Sequence, residues 1–100
     1  MKVRNQKYLN AFGAHLKELI KQKRKTAEVV AALGGIETKQ VYRIINGEHS
    51  ATLSILVAIA QGLEIHPKKL LDFEFDFEER SKHTTANIKG ILLYLQFITD

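Results

Sequence analysis

Thr38, Lys39, Gln40, Tyr42 and Arg43 fall within six consecutive positions, and each side chain can donate a hydrogen bond, two of them with a full positive charge. Such a set suits a partner rich in acceptors and negative charge. The patterned base edges of a major groove about 12 Å wide, which admits one helix, form a surface of that kind. No comparable set for catalysis or metal binding stands out. His15, His49, His66 and His83 are scattered without a ligand spacing, so surface or capping roles are expected and no metal. Ser81 and His83 lack a nucleophile elbow, a placed carboxylate and a glycine-rich oxyanion turn, so no enzymatic activity is expected. No cofactor is expected either.

The polar residues need an element to align them. Ile36, Val41, Ile44 and Ile45 give an apolar stripe behind them, which predicts a helix over roughly Thr38 to Asn46 closed by Asn46-Gly47. Upstream, Thr26 is a suitable N-cap for a short helix, TAEVVAAL, with Val30 and Ala31 inward and Gly34-Gly35 as its stop, one glycine being left-handed. Two short helices joined by a glycine-bearing turn, the second with a cationic front, are the parts of a helix-turn-helix.

Around this pair the pattern predicts three more helices. Tyr8, Leu9, Phe12, Leu16, Leu19 and Ile20 recur every three or four residues, giving a first helix from about Asn5 to Lys23 that ends in the cluster KQKRK. Thr52 caps a fourth helix carrying Leu53, Leu56, Ile59, Ala60 and Leu63 inward, the expected centre of the core. Pro67 opens a fifth, PKKLLDF, whose Leu70 and Leu71 cover what remains.

One hundred residues support one core. There is no cysteine, hence no disulfide or thiolate metal site, and stability must come from helix packing and association. No apolar run approaches the roughly 18 residues of a membrane span, and MKVRNQKYLN lacks the apolar stretch of a secretion signal, so a cytoplasmic protein away from membranes is expected. The net charge of +4 is uneven: residues 1–71 hold twelve Lys or Arg against five Asp or Glu, a balance of +7, and residues 72–100 hold three against six, a balance of −3. A basic body suits a polyanion, because each phosphate it neutralises releases condensed counterions.

Taken together these residues resemble the phage-repressor or Cro-type helix-turn-helix proteins, the xenobiotic-response-element family. The similar stretch runs without a gap from about Phe12 to Leu71. It carries the hydroxyl opening the second helix (Thr26), an aliphatic-Ala pair (Val30-Ala31), the turn glycine (Gly35), the buried aliphatic (Val41), the closing Gly47, and a Leu-rich fourth helix with Leu53, Leu56 and Ile59-Ala60. The resemblance implies an all-α, lambda-repressor-like five-helix domain whose third helix enters the major groove. Thr38, Lys39, Tyr42 and Arg43 would then face bases or groove walls, with Gln40 near the rim, and Lys25, Thr26 and Asn46 would hold phosphates. Lys23, in the same basic cluster as Lys25, is a further phosphate candidate, although such clusters are commonly solvated. Tyr42 has the alternative of packing on a neighbouring helix, and Glu37 serves the helix dipole rather than base reading. Two departures stand out. Ala27 replaces a frequent Gln, removing one contact to DNA, and Ile20 and Ile45 occupy positions that often hold an Arg-Glu pair. A pair replaced on both sides by aliphatics is neutral or stabilising, and these two isoleucines are expected to touch.

The chain divides into a DNA-binding domain, residues 1–72, and an acidic Phe-rich arm with an additional C-terminal helix, residues 73–100. Phe73, Phe75 and Phe77 alternate with acidic residues, a period of two that fits an extended arm or strand and leaves open whether they join an interface or line the domain's own underside. The last segment, ANIKGILLYLQFI, sets Ile88, Ile91, Leu92, Leu95 and Ile98 at helical spacing. It either folds back as extra core or pairs with a second chain, and the homodimer is preferred because one small domain cannot cover these leucines. The favoured function is a transcriptional regulator, a repressor in its simplest form, bound to double-stranded operator DNA. The alternatives are an antitoxin that masks a protein toxin with its acidic C-terminal region, and an interaction module that has lost DNA binding.

Overall fold

A side-chain N-cap marks the start of three of the four described α-helices. In a computed structural model that describes residues 4–77, α1 (Gln6–Gln22) begins where the Asn5 side chain accepts from the Tyr8 amide at 2.9 Å. The Thr26 hydroxyl accepts from the Val29 amide to start α2 (Ala27–Gly34), and the Thr52 hydroxyl accepts from the Ile55 amide to start α4 (Leu53–Leu63). Between them lies α3 (Thr38–Ile45). Gly35 ends α2 at φ 72° with open space around its α-carbon, so conformation alone calls for glycine there.

Gly34 has a different purpose. A Cβ on it would strike the backbone carbonyl of Ala58, and one on Gly62 would strike that of Val30. The two contacts bring α2 and α4 to backbone distance, one turn apart along α2. The core forms where these helices meet α1 and α3, from Phe12, Leu16, Ile20, Val30, Ala31, Val41, Ile44, Ile59, Ala60, Leu63 and Leu70, all buried.

Two expectations for the core are corrected. Leu53 is 79% exposed because it is the first residue of α4, beyond the reach of the helices that cover Ile59 and Leu63. The expected fifth α-helix is a single 3₁₀ stretch, Pro67–Leu71, held by i to i+3 bonds such as Lys69 N to His66 O. Its tighter winding turns Leu70 inward and leaves Leu71 53% exposed.

After that turn the chain runs back along α1. The Phe73 ring lies 5.2 Å from Tyr8 and 4.9 Å from His15, and Phe75 packs edge-on to Tyr8 at 4.7 Å. His15 donates from Nε2 to the Lys69 carbonyl at 2.8 Å, which ties α1 to the same turn. Residues 74–77 form no strand. The period-two pattern is instead an aromatic cluster laid on Tyr8, Phe12 and His15, one face of α1, so Phe73 and Phe75 line the domain's underside. Phe77, 67% exposed, touches only the Phe75 ring among the described aromatics. The expected C-terminal helix with Ile88, Ile91, Leu92, Leu95 and Ile98 lies outside the described residues. Among the described residues no helix is long and apolar enough to cross a membrane.

Candidate nucleic-acid interface

The back of α3 is anchored and its front is bare. Val41 and Ile44 are buried and Ile45 is half-buried, while Lys39, Tyr42, Arg43 and Asn46 are exposed and Thr38 partly so. Among the described residues neither the Lys39 nor the Arg43 side chain has a hydrogen-bond or ion-pair partner. Gln40 is turned toward the start of its own helix, where its side-chain oxygen accepts from the Glu37 amide at 3.4 Å. Glu37 is thus the N-cap residue of α3, in keeping with the helix-dipole role expected of it.

The far end of α3 is held by residues whose role the sequence pattern did not reveal. Gly47, at φ 73°, turns the chain. Its carbonyl accepts from Gln6 Nε2 at 2.7 Å, and the Arg4 guanidinium reaches the Gly47 and Glu48 carbonyls at 3.4 and 3.2 Å. Arg4 and Gln6 therefore cap the C-terminal end of α3 from the start of α1, fixing the tilt of the exposed face. The partners are more than 40 residues apart in sequence, so no local pattern signals them.

Of the expected phosphate-holding residues, Thr26 and Asn46 are exposed at the start of α2 and the end of α3, but Lys25 is engaged elsewhere. Its ammonium donates to the Gly62 carbonyl at 3.0 Å and pairs with Glu64 at 3.2 Å, with only 18% of the side chain exposed. In the free chain its charge satisfies the end of α4, whose last carbonyls lack helical partners.

Between α1 and the helix pair lies a cleft of about 380 Å³. Ile20, Ala27 and Ile45 form its apolar floor and Lys17, Thr26, Glu28, Tyr42 and Asn46 its polar rim. The two isoleucines that stand where an ion pair is frequent thus border one cleft. On the rim the Tyr42 hydroxyl donates to Glu28 Oε1 at 2.7 Å. That bond holds the Glu28 carboxyl below its usual range, with its backbone and the Thr26 hydroxyl adding to the effect. The same bond raises the Tyr42 phenol, helped by partial desolvation and the carboxylate charge.

The arrangement is a helix-turn-helix: α2 braced on α4, a glycine turn, and α3 with a buried aliphatic back and an exposed front of donors. A helix-turn-helix family model matches residues 16–70. The chain belongs to this family, the phage-repressor or Cro-type regulators, and is by class a DNA-binding transcription regulator. It is similar to a solved structure, the restriction-modification controller protein C.AhdI from Aeromonas hydrophila, at 30% identity and a TM-score of 0.61. The match covers 63% of this chain and 96% of that one. No curated protein sequence matches the chain.

Proposed function

We propose that the protein reads a specific double-stranded operator with α3 in the major groove and acts as a repressor by blocking polymerase access. The observation that carries this reading is the exposed face of α3, on which Thr38, Lys39, Tyr42 and Arg43 stand over a buried Val41 and Ile44. The charge balance of +7 over residues 1–71 supports it, as does the likeness to a controller protein. In this reading Arg43 and Lys39 donate to base edges, Thr38 lines the groove, and Thr26 and Asn46 meet phosphates near the α2 N-terminus. Two chains pair through Ile88, Ile91, Leu92, Leu95 and Ile98, setting their reading helices about 34 Å apart on an inverted repeat.

Selection of bound fragments from random duplexes tests the reading directly. A consensus with inverted symmetry is expected, with affinity falling steeply between low and moderate salt. Arg43→Ala should cost about 1 to 3 kcal/mol on that site and relax the preference at one base pair. A chain that enriches no duplex at low salt is not a DNA reader, and an interaction module would then be the better description.

A further inference from the structure

Tyr42 lies beside two donors, Lys39 and Arg43, on the exposed face of α3, yet its own proton is already committed. The phenol has one hydrogen, and it points to Glu28 Oε1 at 2.7 Å. What remains toward an incoming ligand is a phenol oxygen and a carboxylate with lone pairs only. A phosphate oxygen, itself an acceptor and negatively charged, gains nothing there and is repelled. The major groove does contain donors of the required kind: the N6 amino group of adenine and the N4 amino group of cytosine, whereas guanine O6 and N7 and thymine O4 are acceptors. Lys39 and Arg43 on the same face are donors only, so the face mixes kinds, with an acceptor on the flank toward α2 beside two cations.

We infer that Glu28 is a specificity-determining residue that acts through Tyr42: by taking the phenol proton it turns Tyr42 into an acceptor selecting an amino-bearing base, adenine or cytosine, at one position of the operator. This rests on the proposed reading of DNA by α3. Glu28 is thus a positioning residue, contributed by the first turn of α2 to a surface otherwise built from α3. The bond spans 14 residues, and both side chains are exposed on the described surface. Substituting either one therefore leaves the core untouched.

The test is duplex selection repeated with Glu28→Ala, which removes the acceptor of the phenol proton, Tyr42→Phe and the double variant, with thermal melting to confirm folding. On one strand the parent should prefer an amino-bearing base over a keto-bearing base by about tenfold at one position. Each single substitution should flatten that preference at the same base pair and leave the others unchanged. The double variant should add nothing further, because both changes remove one device. An unchanged Glu28→Ala profile overturns the inference, as do changes at different base pairs for the two variants or a keto-bearing preference of the parent at the affected position. A parent that enriches no sequence overturns the DNA-reading proposal itself, and an enriching parent with an unchanged Glu28→Ala profile overturns only this inference.

Discussion

Lys25 and Glu28 lie three residues apart and face different tasks, because each is captured by a different helix. Lys25 reaches α4, where it neutralises two charges at once: the partial charge of the Gly62 carbonyl and the carboxylate of Glu64. The bond to the carbonyl is the stronger part, since Glu64 is well exposed and an exposed ion pair contributes little. Lys25→Ala should therefore lower unfolding stability by about 1 to 2 kcal/mol, measured by urea denaturation. A variant that keeps parental stability and loses only DNA affinity would restore Lys25 to phosphate binding. Glu28 gives a pH signature of its own. Its carboxyl is held below the ordinary range by Tyr42, so the folded state binds the proton less readily than the unfolded state does. The stabilising contribution is complete above the ordinary carboxylate range and is lost as pH falls through the lowered folded value. The melting temperature of the parent should exceed that of Glu28→Gln by a small margin at about pH 7, and the gap should narrow steadily as the pH falls below the ordinary carboxylate range. A gap that widened on acidification would contradict the bond.

At the scale of elements, the two adjacent glycines at the end of α2 separate two reasons for the same residue type. Gly35 adopts a positive φ with nothing near it, whereas Gly34 is pressed against Ala58 and its counterpart Gly62 against Val30. Gly35→Ala should cost about 1 kcal/mol, from backbone strain alone. Gly62→Ala should cost more than Gly35→Ala, about 2 to 3 kcal/mol, because a methyl group against a helix carbonyl forces the helices apart. Because α2 carries the start of the reading surface, the Gly62 variant should also weaken DNA binding at temperatures where it remains folded. Chemical denaturation with binding measured alongside distinguishes the two. Equal costs for both substitutions would mean that the α2 and α4 backbones do not meet as described.

For the whole molecule, the C-terminal third of the charge pattern sets the expected assembly. The proposed dimer joins two basic bodies through a segment whose Ile88, Ile91, Leu92, Leu95 and Ile98 repeat at helical spacing. Leu92→Asp with Leu95→Asp should yield a monomer by sedimentation and reduce affinity for the full operator more than for a half-site, since two linked readers hold one site far better than one. A parent that already sediments as a monomer would remove the dimer from the proposal. Phe73 and Phe75 belong to the domain underside, through Tyr8, Phe12 and His15, so the aromatic surface left exposed at the end of the described chain is that of Phe77, which meets only the Phe75 ring among the described aromatics.

What the amino-acid order determined unaided is the set of local structures: four helices, two threonine caps, a left-handed glycine and an α3 with one apolar face. These signals are legible because a cap acts over three residues and a helix face repeats every three or four, so cause and effect sit side by side in the chain. The tertiary fold alone decided the rest. Lys25 became a cap for a helix that ends 37 positions onward, Glu28 took the proton of Tyr42, Arg4 and Gln6 closed the end of α3, and the alternating phenylalanines became a cluster on α1 rather than a strand. Each of these depends on which surfaces the burial of Leu16, Val30, Ile44, Ile59 and Leu63 brings together. Hydrophobic packing selects those neighbours by shape and area rather than by sequence distance.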